Sequence, residues 1–183
     1  ATIGSDVPFF LTGGTCVGEG TGSRISARPD GPVEYLIVIT PPVGVSTAAA
    51  YNALNAPSLT TNGSTSILAR SFGAPIPAEP DLWALENDFE GVIFEIEPEI
   101  KRVKLALLEA GARGALLAGS GSSVFGIFRD EEARAQAAAD LKSETGWRLF
   151  SCNTLPRDEY IRTLQSAGLA PLRSSNLQPD TGA

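Results

Sequence analysis

The chain has 183 residues, of which 43% are hydrophobic, and a formal net charge of −7. This length suits one substantial domain, or one domain together with part of another. The negative charge argues against a general nucleic-acid partner, because phosphate-backbone binding relies on clustered lysine and arginine. No apolar run approaches the roughly 20 residues of a membrane-spanning helix, and residues 1–11 lack the basic start of a signal peptide, so we expect no membrane partner.

Two residue types are missing from the composition. The absence of histidine excludes histidine-based acid–base catalysis and most zinc sites within the chain. Methionine is absent too, so Ala1 is not an encoded start, and we expect a fragment or a processed product. Cys16 and Cys152 lie far apart without a CxxC spacing, which favours a reducing compartment over a disulfide scaffold, with a single bridge as the alternative.

Turns and short apolar runs alternate in the first part of the chain. A Gly-Ser-Asp turn at 4–6 precedes an apolar run at 7–11, and a glycine-rich bend covers 18–22. A strong turn signal at 29–32 marks a candidate domain boundary. Residues 35–39 then predict a buried strand that ends at two prolines.

A helix is predicted after this strand. Ser46 or Thr47 can cap it, and it carries a run of alanines and Tyr51. Residues 57–80 are rich in serine, threonine, glycine and proline, so they predict a loop with one short helix near 66–71.

Helices and short strands alternate in the second half. Behind Pro98, the residues Ile100, Val103, Leu107 and Leu108 recur at helical spacing, which predicts a helix with one buried face. The predicted elements of this half are helices over 82–86, 88–96, 98–110 and 130–142, and strands over 115–118, 124–128 and 147–152. This order predicts the α+β class, an antiparallel sheet with helices packed on one face.

Asp6 is the first candidate for chemistry. It lies at a glycine turn just before a rigid apolar run, which would hold its carboxylate in a defined place near the surface. Such a group can take a proton from a substrate hydroxyl or orient that hydroxyl. The alternative is an Asx-turn or a helix cap, which are ordinary roles of aspartate beside glycine and proline.

Residues 119–123 form a glycine-rich segment between two apolar runs. No lysine follows, as a Walker loop requires, and the run at 124–128 does not open a helix, as a dinucleotide-binding loop does. A strand, loop, strand unit is therefore predicted, and the loop is either a ligand cradle or a hairpin turn. Three other segments have ordinary structural roles when taken alone: 45–47 as a helix cap, Tyr51 as a core or rim aromatic, and 87–90 as a helix N-terminus.

Five motifs in a fixed order indicate a family. In chain order they are GSDVPFF, VSTAAAYNAL, NDFE, PEI at the start of a helix, and AGSGSSVFGIF. From Gly4 to about Leu155 the chain thereby resembles the GHMP kinase superfamily, and within it the kinases that act on a cytidine diphosphate ester. The resemblance implies that 1–28 end an N-terminal ATP-binding domain and that 29–170 form a ferredoxin-like C-terminal domain on the substrate side. The composition of 171–183 predicts a disordered tail.

The resemblance also implies an activity. It is the ATP-dependent transfer of a phosphoryl group, with Mg²⁺, to the 2-hydroxyl of a small-molecule cytidine diphosphate ester of methylerythritol, an isoprenoid precursor, in the bacterial cytoplasm. Asp6 would be the catalytic base, and Thr47 and Tyr51 would line the substrate side, with Tyr51 near the cytosine. The residues adjacent to the phosphate-binding loop would be Gly119, Ser120, Gly121 and Ser122, and no residue of the chain is assigned to a metal.

Two parts of the family's machinery lie upstream of the G-x-D-V-P motif. These are the main ATP-binding loop and the lysine that works with the aspartate, and neither has a counterpart in this sequence. We therefore expect that the isolated chain does not bind ATP productively. The alternatives are another GHMP kinase, of the homoserine or mevalonate type, and a non-catalytic α+β regulatory domain that binds a small ligand.

Overall fold

The computed structural model describes residues 7–19, 24–54 and 86–169. These residues fall into two compact units, which are described separately. The hairpin unit comprises the described residues up to 32 and from 155 onward, and the sheet unit comprises those between 33 and 154. The domain boundaries expected at 28 and 170 stay predictions, and the last described helix groups with the N-terminal segment.

The hairpin unit contains two strands and two helices. Helix α1 (Val7–Thr12) is followed by strands β1 (Cys16–Glu19) and β2 (Arg24–Ala27), which pair antiparallel, and the unit also contains the last described helix (Arg157–Ser166). Arg157, the first residue of this last helix, connects the helix to the N-terminal segment. Its guanidinium donates to backbone carbonyls of that segment, and its backbone N–H donates to the Asp30 carboxylate.

The sheet unit contains four strands and four described helices. In chain order they are β3 (Tyr35–Thr40), α2 (Thr47–Ala53), α3 (Phe89–Ile96), α4 (Pro98–Glu109), β4 (Gly114–Leu117), β5 (Val124–Phe128), α5 (Glu131–Leu141) and β6 (Arg148–Asn153), so the helix at Arg157–Ser166 is α6. The strands are ordered β4-β5-β3-β6, and every neighbouring pair is antiparallel. With α4 and α5 as the connections, this is the ferredoxin-like arrangement, which confirms the predicted fold class.

One face of the sheet packs against the helices. Ile37, Ile39 and Phe128 are fully buried there, and the helices add a larger set of apolar side chains. That set is Ile93, Ile100, Val103, Leu107, Ala137, Ala138 and Leu141. The expectation of helices on one face is therefore confirmed.

The predicted buried face of helix α4 is confirmed at three positions and wrong at a fourth. Ile100, Val103 and Leu107 form the buried stripe, and a Cβ on Gly126 of β5 would lie only 3.1 Å from the Leu107 side chain, so glycine permits this close approach. Leu108 is 40% exposed, so its predicted burial is wrong. It follows Leu107 directly and is therefore rotated by about 100° around the helix axis, away from the stripe that faces the sheet.

Several expectations concern residues that the structure does not describe. They are the helix near 66–71, the helix at 82–86 except for its last residue, the tail at 171–183 and Asp6. No helix in the described ranges is long and apolar enough to cross a membrane. Cys16 and Cys152 are both free thiols.

Candidate active site

The glycine-rich segment forms the connection between β4 and β5, as predicted. The Ala118 N–H donates to the Ser123 carbonyl at 2.8 Å and closes the hairpin, and the Gly121 N–H donates to the Ala118 carbonyl at 3.1 Å. Gly119 and Gly121 have φ angles of 59° and 98°, in the left-handed region that favours glycine. The backbone path of this glycine loop, residues 119–122, therefore depends on both glycines.

Hydroxyl side chains of α2 and β3 contact the glycine loop and the residue that follows it. Thr47 is the first residue of α2, which Ser46 caps by accepting the Ala49 N–H at 3.1 Å. The Thr47 Oγ1 lies 3.2 Å from the Ser120 Oγ, although 73 positions separate the two residues in sequence. The Thr40 Oγ1, at the end of β3, lies 2.9 Å from the Ser123 Oγ. The structure thus brings the candidate residue Thr47 to the candidate loop.

Tyr51 lies one helical turn after Thr47. Its ring meets the Phe89 ring edge-on, with the centroids 5.0 Å apart and the planes at 86°. The tyrosine is 41% exposed, so it is a rim residue rather than a core residue. This packing fixes one side of the ring and leaves part of it accessible on the α2 surface.

Asn87 contacts the glycine loop, and sequence reasoning missed this contact. Its side-chain amide donates to the carbonyls of Leu117 and Gly119, each at 2.8 Å, and its Oδ1 accepts the Phe89 N–H at 3.0 Å. The predicted helix N-terminus at 87–90 accounts only for the last of these bonds. The available signal was chemical, because asparagine carries two amide donors that a cap leaves unused.

The site contains no metal cluster in the described ranges. No group of three or more histidine, cysteine, aspartate or glutamate side chains there could hold an ion. Hydroxyls and backbone groups define the described surface instead, and these can orient hydroxyl or phosphate groups of a ligand by hydrogen bonds. The predicted base, Asp6, lies outside the described residues, so its position stays a prediction.

Comparison with known proteins gives one family match. Residues 67–146 match the family model described as GHMP kinases C terminal. This match agrees with the resemblance to the GHMP kinase superfamily that the five motifs carry.

Individual relatives are kinases of one particular substrate. The chain is similar to 4-diphosphocytidyl-2-C-methyl-D-erythritol kinases: it is 38% identical to the one from Geobacter sp. (strain M21) over 153 residues, and 37% identical to the one from Solibacter usitatus over 180 residues. These alignments cover 84% and 97% of this chain, but 52% and 55% of the relatives. The chain thus spans about half the length of the curated relatives it matches.

A solved structure agrees with these relatives. The crystal structure of 4-(cytidine 5'-diphospho)-2C-methyl-D-erythritol kinase matches with a TM-score of 0.61 and 29% sequence identity. The match covers 83% of this chain and 54% of that chain.

Proposed function

We propose that this chain is the substrate-side part of an ATP-dependent kinase that phosphorylates the 2-hydroxyl of 4-diphosphocytidyl-2-C-methyl-D-erythritol. The relatives from Geobacter sp. and Solibacter usitatus support this substrate, because these kinases of 4-diphosphocytidyl-2-C-methyl-D-erythritol are similar to 84% and 97% of the chain. The enzyme would act in the bacterial cytoplasm on the route to isoprenoid precursors. The two free cysteines are compatible with that reducing compartment.

One observation carries the proposal at the level of the site. The hydrogen bond between Thr47 and Ser120, at 3.2 Å, joins two motifs of the predicted kinase that are 73 positions apart. A ligand that lies along the start of α2 would therefore also reach the glycine loop. Tyr51, one turn further and partly exposed, offers a flat aromatic face of the kind that suits a cytosine ring.

The proposed chemistry needs positioning and charge stabilisation rather than a covalent intermediate. The Asp6 carboxylate takes the proton of the 2-hydroxyl while that oxygen bonds to the γ-phosphorus, and the bond to the bridging oxygen breaks so that ADP leaves. The glycine loop, with Gly119, Ser120, Gly121 and Ser122, would lie beside the nucleotide phosphates, where fixed dipoles stabilise the charge that develops.

ATP and its Mg²⁺ belong to this proposal as well. Mg²⁺ supplies charge neutralisation on the phosphates, and it is usually held by one or two carboxylates, phosphates and waters rather than by an all-protein cage. The described residues contain no cluster of three ligating side chains, and no step is assigned to the ion. We also infer that turnover requires a nucleotide-binding part outside these 183 residues.

The test uses an extended enzyme, in which the upstream half of the Solibacter usitatus relative precedes residue 1. It is supplied with ATP and, separately, with the cytidine diphosphate ester, homoserine or mevalonate, and ³¹P NMR detects the phosphorylated product. Turnover of the cytidine ester alone is expected. Preferential turnover of homoserine or mevalonate would favour the alternative kinases, and no turnover of any substrate would favour a non-catalytic ligand-binding domain.

The 183-residue chain by itself serves as the matched control in this assay. It is expected to give no ATP-dependent product under conditions in which the extended enzyme is active. Clear kinase activity of the isolated chain would refute the inference that a further nucleotide-binding part is needed.

A further inference from the structure

Strand β4 is an edge of the four-stranded sheet. In the order β4-β5-β3-β6 it pairs with β5, and no strand in the described ranges pairs with its outer side. Leu117, its last residue, is 1% exposed and immediately precedes the turn that holds the glycine loop. A buried N–H and a buried C=O at this position need partners, because buried backbone groups are rarely left unpaired.

Two side chains of α3 and its N-terminal flank bind the outer side of β4 at Leu117. The Leu117 carbonyl accepts from the Asn87 amide at 2.8 Å, and the Leu117 N–H donates to the Glu90 Oε1 at 3.0 Å. Asn87 and Glu90 are three positions apart, so they lie on the same side of the first helical turn. Both backbone groups of Leu117 are therefore held from one side.

Each of the two side chains is fixed by a further contact. The Glu90 Oε2 forms an ion pair with the Lys104 Nζ of α4 at 2.6 Å, and only 17% of the Glu90 side chain and 23% of the Lys104 side chain are exposed. The Asn87 Oδ1 accepts the Phe89 N–H, so a rotation of the amide would exchange donors and acceptor and lose all its bonds.

Asn87 also reaches into the loop itself. The same amide nitrogen that donates to the Leu117 carbonyl donates to the Gly119 carbonyl at 2.8 Å. The end of β4 and the first residue of the glycine loop are thus tied to one atom of α3's N-terminal flank. Ser120, which follows directly, is the residue that contacts Thr47.

We propose that Asn87 and Glu90 are positioning residues that set the location of the glycine loop for phosphoryl transfer. The inference rests on the proposed kinase function and assigns a role to two side chains that act through the loop. Reactions of this type depend on placement, since a displacement of about 1 Å can lower the rate about 10²-fold.

The first experiment measures amide hydrogen exchange in the 183-residue chain. Asn87→Asp keeps the acceptor for the Phe89 N–H but places carboxylate oxygens against two carbonyl oxygens. The amides of Ala118 and Gly121 are expected to exchange at least about 10-fold faster, because loop opening then costs at least about 1.4 kcal/mol less. The amides of β3 should keep their protection.

A matched control is available at the next position. Asp88 is exposed and its side chain makes no capping bond, so Asp88→Asn changes one charge beside Asn87 without touching the loop. Its loop exchange should equal that of the unmodified chain. Loop protection that is the same in the Asn87→Asp and Asp88→Asn variants would overturn the proposal.

Glu90 is tested by a conservative and a drastic substitution. Glu90→Gln keeps an oxygen that can accept the Leu117 N–H, whereas Glu90→Ala leaves that N–H without its partner. Loop exchange is expected to rise in the alanine variant and to stay within about 3-fold of the unmodified chain in the glutamine variant. Equal exchange in the two variants would contradict the assigned hydrogen bond.

Kinase assays on the extended enzyme separate positioning from simple stability. Asn87→Asp should lower kcat about 10- to 100-fold and leave the KM for the cytidine ester within about 3-fold, because the loop lies beside the phosphates and not the nucleoside. An unchanged kcat would overturn the proposal. If the unmodified extended enzyme has no kinase activity, the proposed function fails, and the exchange measurements alone decide whether Asn87 and Glu90 hold the loop.

Discussion

The internal contacts that stabilise the hairpin unit differ in kind from those that stabilise the sheet unit. In the sheet unit, helices and strands bury a continuous apolar core in which Ile37 and Phe128 have no exposed surface. Among the described residues of the hairpin unit only Gly13 is buried, and Phe10 is 62% exposed. Side-chain volume should therefore determine the stability of the sheet unit, whereas a few directional bonds around Arg157 should determine that of the hairpin unit.

The sharpest test of this difference removes one phenylalanine from each unit. Phe128→Ala should lower the free energy of unfolding of the sheet unit by about 3–5 kcal/mol, because it removes a fully buried ring and leaves a cavity. Phe10→Ala should change stability by less than about 0.5 kcal/mol, because most of its side chain is already in water. Urea titration, monitored by hydrogen exchange of amides in each unit, measures both effects. Comparable losses of unfolding free energy in the two variants would contradict the proposed difference between the units.

The second test removes the polar anchor of the hairpin unit. The Arg157 guanidinium donates to the carbonyls of Gly13, Arg28 and Thr15, at 3.2, 3.1 and 2.6 Å. Arg157→Ala leaves these acceptors without the donor, and local opening of β1 and β2 should become easier by about 1–3 kcal/mol. The amides of β1 and β2 should exchange faster, while those of β3 and β5 keep their exchange rates. Arg162→Ala is the control, because Arg162 is exposed on the same helix.

Equal acceleration in both Arg157 and Arg162 variants would show that the anchor is not specific. Acceleration in the sheet unit as well would show that the two units do not have independent stabilities. Arg157→Lys offers a finer comparison, since it keeps the charge but cannot reproduce three divergent N–H groups, so we expect only partial recovery.

The smallest expected effect is a gradual loss of stability as the pH falls. Hydrogen bonds from Arg102, and then from Trp147, lower the pKa of Glu99 in the sheet unit to about 2 from an ordinary value of 4.5. Since the folded pKa is depressed, the stabilisation is present above pH 4.5 and is lost as the pH falls toward 2. Glu99 is a surface group, so the effect should be about 0.2–1 kcal/mol.

Glu99→Gln should remove this part of the acid sensitivity, and Glu109→Gln, at an exposed position at the end of the same helix, should not. In the hairpin unit, the N–H groups of Arg157 and Thr15 lower the pKa of Asp30 from its ordinary value of 3.8, so that unit should also lose stability below that pH. Thermal unfolding between pH 7 and pH 2.5 measures these effects, and an unchanged profile for Glu99→Gln would contradict the assigned hydrogen bonds of Glu99.

The two units also differ in how well the sequence predicted them. In the sheet unit, the periodic burial of Ile100, Val103 and Leu107 and the β-branched run at 35–39 are local signals, and both elements formed where expected. In the hairpin unit, α6 has no buried residue and β1 and β2 have four residues each, so neither hydrophobic periodicity nor length could indicate them.

The candidate site was predictable only in part, for a related reason. The positions of Thr47 and Ser120 follow from motifs, but their hydrogen bond joins residues 73 positions apart, and no local pattern encodes such a contact. Residues 87–90 were expected to form a helix N-terminus, and Asn87 does accept the Phe89 N–H there. Its second role, at a loop 30 or more positions away, arises only when the sheet edge and α3 come together.

The most direct test of the account is the turnover of the extended enzyme carrying Asp6→Asn. This variant keeps the size of the side chain but removes the carboxylate that would accept the proton of the 2-hydroxyl. With ATP and the cytidine diphosphate ester, kcat should fall at least about 10²-fold while the thermal unfolding of the enzyme is unchanged. A kcat equal to that of the unmodified extended enzyme would contradict the assignment of Asp6 as the base.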